Sequence, residues 1–376
     1  MRIAAISNSR IPSSTANSIQ AMKVCDALVE CGHRVRLIVP AEAEPAPWDL
    51  LSQVYGLQHR FGLDWLPSRR GFRRTDFIWS SYEAARKDEA EVIYTWLPQS
   101  AALAGWLGQR VILEMHADVA GRFGAWWLRQ AWHSPRMRLL VTTAALRRAL
   151  ERSTGMHFPD ARVQIAPNGV DLNRYAELPD PDKARARLGL EQRFTAGFTG
   201  HFYAGRGIDL LFALAQALPQ ISFLWVGGTA DKVAEWRERL SVANQENVTL
   251  VGFVENSRLP LYQAASDVLL MPYAREIASS SGQEIAEIIN PMKMFEYMAA
   301  RRPIISADLP AIREVLNEAN AVLCPPEDME AWKIALLALA DDPGRRAALS
   351  ERARLEVESH TWQRRAERAL EGLNRS

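Results

Sequence analysis

Short apolar runs alternate with helix-length amphipathic segments along the whole chain. In the first part, the apolar run at 2–7 precedes an amphipathic segment at 17–32, and another apolar run follows at 33–40. The same alternation restarts at 194–200 and continues to the apolar run at 302–308. Short apolar runs predict strands, and a period of about 3.6 residues predicts helices. Their strict alternation predicts parallel sheets joined by crossover helices.

A break in this pattern at residues 159–193 divides the chain. The break is rich in Pro and Asp and contains a turn signal, the Asn-Gly pair at 168–169. We therefore predict an α/β fold with two facing Rossmann-like domains, each with a parallel sheet, and an interdomain cleft. The N-terminal domain is predicted to cover residues 1–172 and the C-terminal domain 173–359. The last helix, 360–376, is expected to pack back on the first domain.

The composition is that of a folded protein, because 48% of the 376 residues are hydrophobic and 24% are charged. No apolar run reaches the ~18 residues of a membrane-spanning helix. Residues 1–12 resemble a first strand more than a signal peptide. The cysteines Cys25, Cys31 and Cys324 lack the spacing of a metal site or redox motif. We therefore expect free thiols and a cytoplasmic protein.

Charge is distributed unevenly, although the net charge of the chain is only +1. Residues 1–174 hold 22 Lys and Arg against 16 Asp and Glu, whereas the remainder holds 23 against 28. Eight of the 12 Trp also lie in the first part. A basic, Trp-rich half suggests a partner of its own, either nucleic acid or an anionic membrane surface.

Two segments of the first domain, 59–79 and 122–140, interleave arginine with aromatic residues. In the first segment, the residues predicted to face a membrane are Trp65, Arg69, Arg70, Arg73, Arg74 and Trp79. This composition suits an interface with anionic lipid. Stacking of single-stranded nucleic acid is an alternative, but no other feature supports it, and a helix pair that packs its Trp residues in the core is another. We predict a peripheral protein at the inner face of the plasma membrane, with no nucleic-acid partner.

Polar and Gly-rich segments follow several predicted strands of the second domain. Ligands of open parallel sheets bind beyond the carboxyl ends of strands, where loops and helix N-termini meet. There, Arg206 and backbone amides suit a diphosphate, and Glu296 suits the hydroxyls of a ribose. The simpler alternatives are a solvent-facing helix residue for Glu296 and an ordinary turn for the Gly-rich loop.

Five segments resemble, in the same order, signatures of the GT-B glycosyltransferases of the large retaining family numbered 4. They are "ECGHRVRLIVP", "RVILEMH", "APNGVDLNRY", "VGFVENSRLPLYQAASDVLLMPY" and "PMKMFEYMAARRPIISADLPAIREVL". The resemblance covers nearly the whole chain. It implies the GT-B fold and transfer of a sugar, with retention, from a UDP- or GDP-linked donor to an acceptor hydroxyl. It also implies that no metal or other cofactor is needed. With the membrane prediction, it favours a lipid-linked or cell-envelope glycan as the acceptor.

The resemblance assigns roles residue by residue. It implies that Glu296 binds the donor ribose, that Arg206 binds the phosphates, and that His116 lies close to the sugar. Further donor contacts fall on Gly200, His201, Gly207, Glu287, Asn290, Pro291, Met292, Lys293 and Met294. The last four of these would offer backbone amides to the diphosphate. On the acceptor side, the resemblance assigns Ser14, Thr15, Ala16, Asn17 and Asp118. Asn17 or Ser18 is also expected to cap the first helix.

The chain departs from the family pattern at two donor positions. Ile288 stands where the family has the first Glu of its E-x7-E motif, so Glu284 or Glu287 is left to replace it. His201 stands near the family's first basic position and equally suits a structural loop histidine. The acceptor loop, in addition, contains no Gly. These departures keep two alternatives open: a sugar-nucleotide epimerase of similar fold, and a non-catalytic nucleotide- or glycan-binding homologue.

The triplet Asp180-Pro181-Asp182 matches a D-x-D metal motif of other glycosyltransferases. It lies in the predicted linker just before a helix. We therefore interpret it as a turn followed by a helix cap, not as a metal site.

Overall fold

The computed structural model describes residues 1–69, 75–119, 121–277, 284–371 and 373. The chain divides into two compact units, one formed by Met1–Asn168 with Trp362–Ser376 and the other by Gly169–Thr361. This division falls close to the boundary expected at residue 172. Within the described residues, no helix is both long enough and apolar enough to cross a membrane.

The first unit is built on a parallel sheet. Its strands are β1 (Arg2–Ile6), β2 (Arg34–Pro40), β3 (Gly62–Leu66), β4 (Val92–Thr95), β5 (Arg110–Met115), β6 (Met137–Val141) and β7 (Val163–Ile165). Its helices are α1 (Ala16–Glu30), α2 (Trp48–Tyr55), α3 (Thr75–Lys87), α4 (Pro98–Trp106), α5 (Gly121–Trp132), α6 (Ala144–Thr154) and α14 (Trp362–Leu370). Although α14 follows the second unit in the chain, it packs on α1.

The strand order of the first sheet is β3-β2-β1-β4-β5-β6-β7, and the described pairings are parallel. The order reverses between β1 and β4, so the loops after these two strands diverge and leave room at the carboxyl edge. Strand β4 is buried along its whole length, as expected for a central strand covered by helices on both faces.

The second unit repeats this architecture. Its strands are β8 (Thr195–Thr199), β9 (Ser222–Val226), β10 (Val248–Gly252), β11 (Val268–Met271), β12 (Ile304–Ala307) and β13 (Val322–Cys324). Its helices are α7 (Pro181–Leu188), α8 (Ile208–Ala217), α9 (Ala230–Val242), α10 (Leu259–Ala264), α11 (Met292–Ala299), α12 (Met329–Asp341) and α13 (Pro343–Glu356). The strand order is β10-β9-β8-β11-β12-β13, with parallel pairings and a reversal between β8 and β11.

Several local predictions are corrected by the structure. Residues 62–66, assigned to a membrane-facing segment, form strand β3, which pairs with β2. The break at 159–193 contains strand β7 of the first sheet. The first helix begins at Ala16, so Thr15 and not Asn17 or Ser18 occupies the N-cap position. Asp180 does precede α7, but its side chain makes no capping hydrogen bond.

Candidate functional site

The loop between β8 and α8 lies against the segment that follows β11. A Cβ atom added to Gly207, which has φ +80°, would lie 1.7 Å from the carbonyl oxygen of Pro272. Only glycine combines this backbone conformation with such a close approach. The two loops therefore meet at the point where the strand order reverses, and this contact places Arg206, the residue before Gly207.

Arg206 and Lys293 both contact the ring of Tyr273. The guanidinium carbon of Arg206 lies 5.3 Å from the ring centroid, and the Nζ atom of Lys293 lies 5.5 Å from it. Lys293 also lies 4.1 Å from the ring centroid of Phe198 in β8. A cation above an aromatic face is attracted by the negative charge of that face. Strand β8, the segment after β11 and helix α11 thus hold two half-buried cations, Arg206 and Lys293, close together.

The ammonium group of Lys293 is also close to the backbone at the end of β8. A Cβ atom on Gly200 would lie 2.6 Å from Nζ of Lys293. Burial, together with the neighbouring charge of Arg206, lowers the pKa of Lys293 to about 7, although Glu296 acts in the opposite direction. This side chain therefore titrates near neutrality.

Glu296 is half-buried on α11 and is oriented by a neighbouring amide. Gln263, which is fully buried on α10, donates from Nε2 to Oε2 of Glu296 over 3.3 Å. Oε1 of Gln263 accepts a 3.0 Å hydrogen bond from the hydroxyl of Tyr175. Gln263 and Tyr175 both lie in segments that resemble family signatures, but neither was predicted as a site residue. The carboxylate of Glu296 is thus held in one direction, with further acceptor capacity available.

Tyr297 connects α11 with the end of β8. Its buried hydroxyl accepts a 2.8 Å hydrogen bond from the amide of Thr199. Burial raises the pKa of Tyr297 above its ordinary value, so the phenol remains protonated. This bond fixes the position of α11 relative to the Gly-rich loop that begins at Gly200.

The segment before α11 supplies fewer amide donors than predicted. Pro291 has no amide hydrogen, and the amide of Met294 donates to the carbonyl of Pro291 over 3.1 Å. Within the predicted set 291–294, the donors that remain for a ligand are those of Met292 and Lys293. Asn290 is buried beside this turn.

The position of the missing first Glu, Ile288, and its two possible replacements, Glu284 and Glu287, differ in environment. Ile288 is buried, and Glu287 is exposed. Glu284 accepts hydrogen bonds from the amides of Ile277 and Ala286, at 2.9 and 2.7 Å. Desolvation alone would raise the pKa of Glu284, but these amide donors outweigh it and lower the pKa. Glu284 therefore acts on the backbone of its own loop.

His201 stacks on Tyr203 in the loop after β8. Their ring centroids are 4.9 Å apart, and the ring planes differ by 16°. This packing agrees with the simpler prediction of a structural loop histidine, and it leaves a role in ligand binding as a prediction.

In the first unit, the strand end that carries His116 is dominated by the buried carboxylate of Glu114. Nε2 of His116 contacts Oε1 of Glu114, which also receives hydrogen bonds from Gln20 on α1 and Arg365 on α14. Burial alone would raise the pKa of Glu114, but Arg365 and His116 hold it well below its ordinary value. Because Glu114 occupies Nε2 of His116, the other ring nitrogen is the atom left for a ligand.

The predicted acceptor residues lie in two separate parts of the first unit and have separate partners. Ser14, Thr15, Ala16 and Asn17 are all exposed, in the loop before α1 and its first turn. The hydroxyl of Thr15 lies 2.9 Å from that of Ser18. Asp118 accepts hydrogen bonds from the amide of Val119, at 2.7 Å, and from the hydroxyl of Ser153, at 2.6 Å.

The aromatic residues predicted to face a membrane divide into two groups. Trp65 lies in β3, is partly buried, and donates from its indole nitrogen to the carbonyl of Ile11 over 2.8 Å. Trp79 and Arg69 are exposed, and Arg70, Arg73 and Arg74 lie outside the described residues. The side chain of Trp65 therefore packs against the protein.

The second aromatic segment provides a more exposed surface. Phe123 and Trp126 on α5 are 69% and 43% exposed, and Trp106 on α4 is 54% exposed. The ring of Trp127 lies 4.6 Å from that of Trp126 and 6.0 Å from that of Trp106. We call these four side chains the aromatic patch. Contiguous exposed aromatic residues are uncommon on a surface that contacts only water.

Among the described residues, no group of three or more His, Cys, Asp or Glu side chains is arranged to hold a metal ion. Asp180 and Asp182 of the D-x-D triplet instead pair with Lys183 and Arg185, which lie three residues further along α7. The triplet thus serves the local electrostatics of a helix N-terminus.

Two family models match the chain, one in each unit. Residues 18–174 match the model described as Glycosyltransferase Family 4, and residues 193–342 match the model described as Glycosyl transferases group 1. The second range contains the predicted donor residues, and the first contains His116 and Asp118. The predicted acceptor residues 14–17 precede the first range.

Individual proteins agree with these matches. The chain is 30% identical over 223 residues to a D-inositol 3-phosphate glycosyltransferase of Xylanimonas cellulosilytica, covering 56% of this chain and 50% of the relative. It is 25% identical over 295 residues to a GDP-mannose-dependent alpha-(1-6)-phosphatidylinositol monomannoside mannosyltransferase of Mycolicibacterium smegmatis, covering 72% and 75%. The chain therefore spans about half the length of the first of these relatives.

A solved structure matches over the full length of the chain. The crystal structure of HepE from Anabaena in complex with UDP superimposes with a TM-score of 0.76, at 18% identity, and covers 100% of both chains. At this identity the likeness shows the fold alone, which is GT-B, with a Rossmann-like parallel sheet in each unit. From the two family models and this fold, we conclude that the chain belongs to glycosyltransferase family 4.

Proposed function

We propose that the protein is a retaining glycosyltransferase that transfers a sugar from a UDP- or GDP-linked donor to an acceptor hydroxyl. The observation that carries this proposal is the arrangement at the carboxyl ends of β8 and β11. There, Arg206 and an oriented carboxylate, Glu296, lie on elements joined by the buried Tyr273 and Tyr297. A cation for phosphates and an acceptor for hydroxyls are the groups that a nucleoside diphosphate requires.

In this proposal, Glu296 accepts hydrogen bonds from the ribose, and Arg206 binds the diphosphate together with the amides of Met292 and Lys293. The acceptor oxygen attacks the anomeric carbon while the bond to the diphosphate breaks on the same face. The leaving diphosphate takes the acceptor proton. Fixed positive charge stabilises the leaving group, so no metal is required for this step. We assign His116 to the transferred sugar.

Nucleotide binding and donor hydrolysis test this proposal. Purified protein, incubated with a panel of UDP- and GDP-sugars, should release the nucleotide slowly from one of them. Glu296→Ala should weaken nucleotide binding about 10- to 100-fold, because a hydrogen bond to a charged group contributes about 1.5–3 kcal/mol. Arg206→Met should have a similar effect.

Glu330→Ala is a matched control, because Glu330 is an exposed carboxylate on α12 that pairs only weakly with Lys333. It should bind as the wild type does. Wild-type affinity in both Glu296→Ala and Arg206→Met would overturn the assignment of the site. Nucleotide binding without release, in the presence of every donor and a broad acceptor mixture, would identify a non-catalytic homologue.

We place the acceptor, a lipid-linked or cell-envelope glycan, at the cytoplasmic face of a membrane. Two observations support this placement: the aromatic patch on α4 and α5, and the exposed Arg122 beside it. Aromatic side chains enter the interfacial region of a bilayer, and arginine is attracted to anionic headgroups. The name of the mannosyltransferase relative includes phosphatidylinositol monomannoside.

Co-sedimentation with vesicles tests this placement. The protein should bind vesicles that contain anionic lipid at low salt, and the double variant Phe123→Ser/Trp126→Ser should bind much less. Phe253→Ser is the control, because Phe253 is 61% exposed but lies in the second unit. Equal sedimentation of all three proteins would contradict a role for the aromatic patch.

A further inference from the structure

The pair formed by Arg206 and Lys293 is unusual because two half-buried cations lie close together without a compensating ion pair. Within the described part of the chain, neither side chain has a carboxylate oxygen within 4.0 Å. The nearest influence of opposite sign on Lys293 is the more distant Glu296. Two neighbouring cations that are partly removed from water repel each other and are costly to keep charged.

The surroundings hold Lys293 in this unfavourable position. Its Nζ atom lies above Phe198 of β8, faces Tyr273 after β11, and sits against the backbone of Gly200. Phe198 and Tyr273 are both buried, and the hydroxyl of Tyr297 ties α11 to Thr199. A flexible lysine on an exposed helix would turn away from Arg206, so this packing keeps the ammonium directed at the end of β8.

We propose that the side chain of Lys293 is a direct ligand of the donor diphosphate and forms a cationic pair with Arg206. This inference rests on the proposed function and adds to it a residue that the backbone-amide role does not require. A diphosphate with two negative charges would neutralise both cations at once and remove their mutual repulsion. The site is therefore selective for a dianionic ligand over a neutral sugar or a nucleoside.

Proton uptake on binding follows from this geometry. Lys293 has a pKa of about 7 without a ligand, so a large fraction is neutral above that pH. A bound diphosphate favours the charged form and raises the pKa, so binding above about pH 7 must draw a proton from solvent. Affinity should then fall as the pH rises, by up to about tenfold per unit, until the pH passes the pKa of the complex.

The other titratable and charged groups around Lys293 behave differently. Arg206 opposes the charged form of Lys293, and burial raises the pKa of Tyr273, so its phenol stays neutral. Glu296 is the carboxylate that favours the charged form of Lys293. His201 follows Gly200 in the same loop and is a second side chain that can bind a proton. Its contribution to proton uptake is therefore tested with its own variant.

Isothermal titration calorimetry with UDP-glucose or GDP-mannose tests the proposal. A nucleotide sugar is the correct probe, because its diphosphate is a diester that stays ionised, whereas a terminal phosphate titrates at about pH 6. Repeating the titration at about pH 8 in buffers of different ionisation enthalpy gives the number of protons taken up. We expect a value close to one for the wild type.

Three variants make the result specific. Lys293→Met should bind about 10- to 100-fold more weakly at about pH 6.5 and should take up no proton. Lys293→Arg, which stays charged, should recover much of the affinity and bind almost independently of pH. His201→Gln should retain the proton uptake. Thermal unfolding of each variant checks that its fold is intact.

The outcomes separate this inference from the proposed function. A wild type that binds a nucleotide sugar without proton uptake, with unchanged affinity in a folded Lys293→Met, would overturn the role of Lys293 alone. Proton uptake that persists in Lys293→Arg and disappears in His201→Gln would assign the proton uptake to His201. That result would also overturn the role of Lys293. A wild type that binds no nucleotide sugar at all would instead remove the proposed function.

Discussion

Nη2 of Arg365 lies 2.6 Å from Oε1 of Glu114, and both side chains are almost completely buried. The two residues are 251 positions apart in the chain. Arg365 belongs to α14, and Glu114 lies near the end of β5, two residues before His116. This ion pair therefore attaches the last helix to the strand end that carries a predicted site residue.

Removal of Arg365 should destabilise the first unit strongly. Arg365→Met would leave the carboxylate of Glu114 buried without its main counter-charge, at a cost of about 3–5 kcal/mol in the free energy of unfolding. In this variant the pKa of Glu114 should rise above its unfolded value, so the loss should be smaller at about pH 5 than at pH 7. Urea denaturation at both pH values measures the effect.

Arg352→Ala provides the matched control for this experiment. Arg352 pairs with Glu356 on α13, where the two side chains are 57% and 26% exposed. An exposed pair contributes about 0–1 kcal/mol. Losses of similar size in the two variants would show that the buried pair contributes no more than a surface pair.

Alanine at Gly207 should disrupt the contact between the loops after β8 and β11. The added Cβ would lie 1.7 Å from a backbone carbonyl, so the backbone itself must move. We expect a loss of about 2–5 kcal/mol in unfolding free energy and weaker nucleotide binding. Gly189→Ala is the control, because Gly189 has φ +66° but nothing within 4 Å, and it should cost about 1–2 kcal/mol. Equal losses would contradict the crowding argument.

Glycine at position 301 should stabilise the second unit. Arg301 is exposed after α11 and has φ 55°, a conformation that costs a side chain about 1–2 kcal/mol. Glycine also adds entropy to the unfolded state, and this offsets part of the benefit. Arg301→Gly should therefore raise the free energy of unfolding by about 0.5–1 kcal/mol. Asn244, with φ 49°, is the comparison, because asparagine tolerates this region. A melting temperature that rises as much for Asn244→Gly as for Arg301→Gly would argue against relief of strain.

Thiol alkylation should distinguish Cys31 from Cys324. Burial, reinforced by nearby carboxylates, raises the pKa of each thiol to about 11. Cys31 is partly exposed, so its rate with iodoacetamide should be slow at neutral pH and rise about tenfold per pH unit below that pKa. Cys324 is buried and should react only after unfolding. Mass spectrometry of the alkylated protein measures both rates, and fast labelling of Cys324 in the native state would contradict this expectation.

The periodic segments were predictable because their signals are local. Strand β4 and helix α1 each carry a pattern that neighbouring residues make visible, and the parallel sheets follow from the alternation of such patterns. Strand β3 was missed because its five residues include Gly62 and Asp64. Its partner is β2, and an ion pair from Arg36 to Asp64 at 2.8 Å joins the two strands. No local pattern reports such a partner.

The sequence predicted the position of the candidate site at strand ends and the types of group it offers, but not the packing that holds its side chains. The place of Glu296 after β11 follows from the order of elements, whereas the hydrogen bond from Gln263 depends on how α10 packs against α11. The proximity of Lys293 to Arg206 is a similar case. In the sequence these two residues are far apart, and only the packing around Tyr273 brings them to one ring.

The amino-acid sequence by itself determined the two α/β units, the order of most strands and helices, and the family, since all of these depend on periodicity and motifs that lie within short segments. The tertiary structure alone decided which charges are buried together, as in Arg365 with Glu114 and Lys293 with Arg206. The physical reason is that the energy of a charge depends on its distance from other charges and from water, and both distances are set by packing between remote segments.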